Sequence, residues 1–182
     1  MLKIILFATM PKKYMFSEKR YLLVKKHEGQ LTVSIVEHGT DKWARFPLGR
    51  WTQFVRTFAV VDENLKTLRQ GQAVNLQLHV GGKWHVSVTT GINCVDVREF
   101  YWHSMLGMQP RKHGIALRLG EWDKFKAAVN GMHAANPTVD AAIPCADQSD
   151  HFNLEGALSC IECNPFHCDL GFDFRTEPKS NS

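Results

Sequence analysis

The chain has 182 residues, 44% of them hydrophobic and 22% charged, with a formal net charge of +4. That is one ordinary domain or two small ones with material for a sizeable core, and no apolar run reaches the length of a membrane span, which argues against a membrane partner. Residues 1–137 carry 20 Lys/Arg against 10 Asp/Glu, while residues 138–182 carry 2 against 8; a basic body with an acidic end is common in proteins that handle polyanions.

Residues 2–10 are apolar, include Lys3 and run into Pro11-Lys12-Lys13 without a small-residue cleavage site, so they read as a strand rather than a signal peptide. Residues 19–26 form a basic strand, Glu28-Gly29-Gln30 a turn, and residues 31–38 alternate as the next strand. A third short strand ends near Phe46, and Pro47 precedes a helix over about residues 48–68. Its apolar stripe is Trp51, Phe54, Val55, Phe58, Val61, Leu65 and Leu68, ended by residues 69–71. A strand then starts at Val74, turns at Gly81-Gly82, continues over residues 83–88 and turns again at 89–93. Residues 94–102 alternate, with Val95 and Val97 on one face and Asp96, Arg98 and Tyr101 on the other. Gly107 and Pro110 break the chain before a strand over residues 114–119. The next helix opens at Gly120, carries Trp122, Phe125 and Val129 on one side, frays near Gly131 and has Asn136-Pro137 as its outer limit. From Thr138 onward Ala, Pro, Asp, Ser and Gly dominate, which reads as a loosely structured tail.

The chain contains an internal repeat. Leu48-Gly49-Arg50-Trp51-Thr52-Gln53-Phe54 aligns with Leu119-Gly120-Glu121-Trp122-Asp123-Lys124-Phe125 at an offset of 71, followed in each case by an apolar residue, Phe58 or Val129. Two such helices, each preceded by strands, imply two copies of a ββββα unit.

The run from Val95 to Trp102, followed by Met108-Gln109-Pro110-Arg111-Lys112-His113-Gly114-Ile115-Ala116-Leu117 and a helix opened by Trp122, resembles the C-terminal domain of the transcriptional coactivator positive cofactor four. Arg20-Tyr21 in the first half resembles that family's basic first strand. The resemblance implies a four-stranded antiparallel sheet plus a helix that dimerises and binds single-stranded DNA. The expectation is therefore an α+β chain of two ββββα coactivator-like (Whirly-type) repeats, residues 1–71 and 72–137, forming an intramolecular pseudo-dimer, with an acidic Cys-containing tail over 138–182. The family's turn aromatic is replaced by His27 in the first half and by Thr89 or Thr90 in the second, and its later aromatic by His38-Gly39 in the first half. The first half therefore offers fewer stacking groups, and the two halves are expected to bind unequally.

Basic residues interleaved with aromatics on strands suit an unpaired strand, because cations neutralise phosphates and rings stack on bases. The first half offers Lys19, Arg20, Tyr21, Lys25, Lys26, Lys42, Trp43 and Arg45; the second offers Lys83, Trp84, Arg98, Tyr101, Trp102, Arg111 and Lys112. Trp51 and Trp122 read as core. For Trp43, Trp84 and Trp102 both stacking and core packing are open, and Arg98 can pair instead with Glu99 or Asp96. The cysteines, Cys94, Cys145, Cys160, Cys163 and Cys168, are odd in number and suggest thiols in a reducing compartment. Cys160, Cys163 and Cys168, with Cys145 or His151 supplying the fourth ligand, are zinc-ligand types at short spacing; ordinary tail cysteines with no cofactor are the plainer reading. The acid–aromatic run from Asp169 to Phe174 reads either as a mimic of a nucleic-acid strand that recruits transcription or replication proteins or as a solvated end. No phosphate loop, nucleophile elbow or metal-tied carboxylate pair is present in the sequence, so no enzyme is expected. The expected function is single-stranded-DNA binding in transcription or replication, inside the cell and in the nucleus, or at the host-cell site of replication for a viral chain. A protein–protein adaptor and an RNA-binding member are the alternatives.

Overall fold

Short runs of alternating apolar residues pair as two antiparallel meanders in the computed structural model, which describes residues 12–151 and 154–166. The first sheet is β1 (Lys13–Met15), β2 (Arg20–His27), β3 (Gln30–Glu37) and β4 (Trp43–Pro47), adjacent in chain order. It is followed by α1 (Leu48–Arg56) and α2 (Phe58–Arg69). The second sheet repeats that order with β5 (Asn75–Gly81), β6 (Trp84–Thr89), β7 (Ile92–His103) and β8 (Gly107–Arg118), followed by α3 (Leu119–Ala135). The architecture is α+β. The strand expected at residues 2–10 lies outside the described residues.

Register puts one apolar face of each sheet against the helices. Leu22, Ile35 and Ala44 are cross-strand neighbours in the first sheet, and Val86, Val97 and Ile115 are their counterparts in the second. All six are fully buried, as are Trp51, Phe54, Trp122 and Phe125 from the helices. The helices meet through reciprocal contacts. The Trp51 indole N–H donates to His133 Nε2 at 2.8 Å, and the Trp122 indole N–H donates to Asp62 Oδ1 at 2.6 Å. Both residues of one pair lie 71 positions from those of the other. The Phe54 and Phe125 rings, also 71 apart, sit 6.1 Å from each other between the two pairs. Asp62 is held below the usual carboxylate range: burial raises it, but hydrogen bonds from Lys126 and Trp122 and the Lys126 charge together outweigh burial.

Several elements differ from the sequence expectation. The helix expected over residues 48–68 is broken at Thr57, which is buried and whose Oγ1 donates to the Phe54 carbonyl at 2.6 Å. A hydroxyl that bonds the preceding turn bends a helix, and the bend brings Phe58 edge-on to Trp122, 5.0 Å between centroids. Pro110 does not break the chain but lies inside β8, at an irregularity opposite Phe100. It is tolerated because β8 is an edge strand, where a missing N–H leaves no neighbour unsatisfied. The third helix runs past Gly131 to Ala135, since Met132 is fully buried and His133 is fixed by Trp51. A helix-interior glycine costs only about 1 kcal/mol. The region after Thr138 also holds regular turns: α4 (Pro137–Asp140), two 3-10 turns (Cys145–Asp147 and Ser149–His151) and α5 (Leu154–Ser159). Among the described residues no helix is long and apolar enough to cross a membrane.

Candidate nucleic-acid interface

The residues one step out of phase with the buried pairs face away from the helices. On the first sheet these are Lys13 of β1, Tyr21, Leu23 and Lys25 of β2, Thr32 and Ser34 of β3, and Trp43 and Arg45 of β4. Lys13 Nζ lies over the Tyr21 ring at 4.6 Å, and the Arg45 guanidinium over the Trp43 ring at 5.1 Å. Arg45 is directly opposite Ser34, and Arg45 Nε and Ser34 Oγ are both buried without a hydrogen-bond partner. Among the described residues no carboxylate pairs with Lys13, Lys25 or Arg45. A sheet with three unneutralised cations on one face is a place for anions.

The second sheet contributes an arm. β7 and β8 are 12 residues each, against 8 and 5 for β3 and β4, so their hairpin extends past the core. On the arm the Arg111 guanidinium lies over the Tyr101 ring at 5.4 Å. Glu99 stands between Arg111 at 3.6 Å and His113 at 3.5 Å. His113 in turn stacks on Trp43 across the seam where β4 lies against β8, with centroids 5.6 Å apart and rings 27° from parallel. A continuous run of contacts therefore links Arg45, Trp43, His113, Glu99, Arg111 and Tyr101 across both sheets. Lys42 and Lys112 precede Trp43 and His113 and are exposed. Trp102 is 42% exposed near the end of the arm, 6.4 Å from the Phe166 ring.

Other candidates are engaged elsewhere. Arg20 Nη2 donates to Glu37 at 2.8 Å, and its Nη1 donates to Glu121 and to the Ala116 carbonyl, each at 2.8 Å. It ties the first sheet to the second sheet and α3, which corrects its reading as a phosphate ligand. Arg98 donates two hydrogen bonds to Asp96, at 2.8 and 3.0 Å, and a third to the Arg111 carbonyl at 3.0 Å. Of the two carboxylates open to it, Asp96 is the partner. Gly114 lies beneath this side chain; a Cβ there would stand 3.0 Å from Arg98 Cα and Cγ and 2.8 Å from the Val97 carbonyl oxygen. Trp84 is 7% exposed and meets Phe46 edge-on at 5.2 Å, so it belongs to the core rather than to a stacking surface. Tyr21 is nearly covered, and Lys19, Lys26 and Lys83 are exposed at strand ends or turns, with the Lys83 carbonyl accepting the Phe100 N–H beside the linked run. Sequence pattern does not mark Lys13, whose strand is three residues long, and gives no sign that His113 bridges the sheets.

The outer face of the second sheet carries His79, His85, Asp96 and Arg98. Burial, helped by the neighbouring His79, pushes His85 down to about 4. Its Nδ1 is buried without a partner. Elsewhere, Cys145, His151, Cys160 and Cys163 bring their sulfur and nitrogen atoms within 4.8 Å of one another. Cys168 and the run from Asp169 to Phe174 lie outside the described residues.

Among curated proteins nothing matches the chain. Residues 81–128 match the family model described as Transcriptional Coactivator p15 (PC4). Members of that family are nuclear, non-enzymatic coactivators that bind single-stranded DNA and interact with transcription factors. The stretch from the β5–β6 turn into α3 is thus PC4-like, an α+β segment similar to a DNA-binding coactivator family.

Proposed function

We propose that the chain is a single-stranded-DNA-binding cofactor of transcription or replication, acting in the nucleus and built from two fused coactivator-like units that pair as an intramolecular dimer. The shared strand order and the reciprocal Trp51–His133 and Trp122–Asp62 bonds at one offset support the fused pair. The strand would lie along the outer face of the first sheet, over Lys13, Lys25, Arg45 and Trp43, and cross to Tyr101 and Arg111 on the β7–β8 arm. Lys42, Lys112 and Trp102 flank that path.

The observation that carries the reading is the contact run from Arg45 through Trp43 and His113 to Tyr101, next to cations that no carboxylate among the described residues neutralises. Trp43 and Tyr101 each have a guanidinium at the ring face, so stacking and phosphate neutralisation act at one place. Stacking one base on an aromatic contributes about 1–3 kcal/mol and tolerates any base. Three neutralised phosphates give a log–log salt slope of about −2 on a single strand.

The test is a titration of labelled oligo-dT across salt, with unlabelled RNA and duplex DNA as competitors. Binding that weakens steeply with salt and resists both competitors supports the reading. Absence of binding at low salt would favour an adaptor, and displacement by RNA an RNA-binding member.

A further inference from the structure

We propose that Cys145, His151, Cys160 and Cys163 form a closed, structural Zn²⁺ site that fastens the segment after α3 onto the rest of the fold. The four come from separate short elements: Cys145 opens one 3-10 turn, His151 closes the next, and Cys160 and Cys163 flank the turn after α5. Their ligand atoms lie within 4.8 Å of one another. Cys145 Sγ is 3.5 Å from Cys160 Sγ and 3.8 Å from His151 Nε2. With Zn–S near 2.3 Å and Zn–N near 2.0 Å, a tetrahedral site has edges of about 3.6–3.8 Å. These two distances match edges of a zinc tetrahedron, and all four ligand atoms lie within 4.8 Å of one another.

The surroundings suit a bound cation. The Glu162 N–H donates to Cys160 Sγ at 3.4 Å, the arrangement in which a backbone dipole favours thiolate over thiol. A divalent ion takes three such crowded sulfurs as thiolates and releases their protons. Three sulfurs and one imidazole select zinc among common divalent ions, and four protein ligands leave no open position for catalysis.

Beyond the buried Val139 and the Arg56–Asp147 ion pair, this segment is lightly packed. Ile143 and Ile161 are 63% and 71% exposed, and α5 has six residues, too few to be helical unaided. Yet the Cys160–Cys163 turn is positioned closely. The Glu162 carboxylate accepts two hydrogen bonds from Arg50 of α1, at 2.7 and 2.6 Å, and its carbonyl accepts the Gly82 N–H at 2.7 Å. Gly81 and Gly82, both at positive φ, leave room for this pair; a Cβ on Gly82 would stand 2.4 Å from the Arg50 guanidinium. The ion therefore locks Glu162 against α1 and the β5–β6 turn, one residue short of the cysteine that ends the site.

Full-length protein is equilibrated with Zn²⁺ under reducing conditions, freed of unbound ion and assayed for metal, and the ion is then replaced by Co²⁺. We expect one Zn²⁺ per chain and a Co²⁺ spectrum with thiolate charge transfer and the intense visible bands of a tetrahedral site. Cys145→Ser, His151→Ala and Cys160→Ser should each weaken metal binding about tenfold or more, whereas Cys94→Ser and Cys168→Ser should retain one Zn²⁺. Wild-type protein that retains no Zn²⁺, an octahedral Co²⁺ spectrum, or loss of the ion in Cys168→Ser with retention in Cys145→Ser would overturn the assignment. So would a Cys145–Cys160 disulfide that persists in reductant. The wild-type Co²⁺ spectrum decides the matter even where a variant fails to fold, and the readout is metal, independent of any DNA binding.

Discussion

The two sheets are alike inside and unlike outside. Aligned by their buried pairs, Ser34 and Arg45 of the first occupy the positions of Asp96 and Ala116 in the second, and Tyr21 that of His85. Among the described residues the first sheet thus presents Lys13, Lys25 and Arg45 with no acid beside them, while on the matching face of the second Arg98 is closed onto Asp96 and Arg118 stands at the end of β8. It is the second half that matches the coactivator family. Family likeness here follows core and turn pattern, whereas available charge depends on which residue stands across the strand. The first half has fewer stacking groups but more unpaired cations among the described residues, and in the reading offered above it is the charge that counts.

The comparison can be pressed at the core first. Trp51→Ala and Trp122→Ala should each destabilise by about 3–5 kcal/mol, the range for a large buried aromatic, read by urea denaturation. The likeness between halves requires the two losses to be similar, and a loss confined to one half would break it. Next is pH. His85, held down to about 4 against an ordinary 6.5, stays neutral in the fold while the unfolded chain takes up a proton. Its contribution is whole above about pH 6.5 and is lost as pH falls toward 4, at most about 3 kcal/mol. His85→Tyr, which installs the first sheet's residue, should flatten that part of the stability–pH curve.

The interface predictions are smaller. Trp43→Ala should weaken oligo-dT binding by about 1–3 kcal/mol, the worth of one stacked base, while Trp84→Phe should leave affinity unchanged because that ring is in the core. Asp96→Ser sharpens the comparison most, since it copies Ser34 into the second sheet and releases Arg98. It should strengthen binding a few-fold and steepen the salt slope by about 0.7, one more phosphate neutralised. Fluorescence anisotropy at several salt concentrations measures both.

The helices and their buried aromatics were legible in the sequence because Trp51, Phe54, Trp122 and Phe125 sit at helical spacing and at one offset. Strand alternation likewise marks the buried valines of β6 and β7. The break at Thr57 was not legible, since a threonine bends a helix only when burial turns its hydroxyl inward. Arg20 reads as a strand cation because its second acid, Glu121, is 101 positions away and arrives only when α3 packs beside the first sheet. Arg98 was half legible: Asp96 and Glu99 are both near in sequence, and strand parity decides for the one two residues away. The cysteines mark themselves, but the choice of Cys145 with His151 over Cys168 needs the turns that bring them together.

The account's central claim is that the strand binds to the unneutralised face of the first sheet and not to the paired arginine of the second. Oligo-dT affinity across salt for Lys25→Ala/Arg45→Ala beside Arg98→Ala tests it most directly. The double variant should lose at least about tenfold in affinity and flatten the slope by about 1.4, two phosphates at about 0.7 each, with Arg98→Ala near wild type. The opposite pattern, with Arg98→Ala abolishing binding and the double variant unaffected, would contradict it.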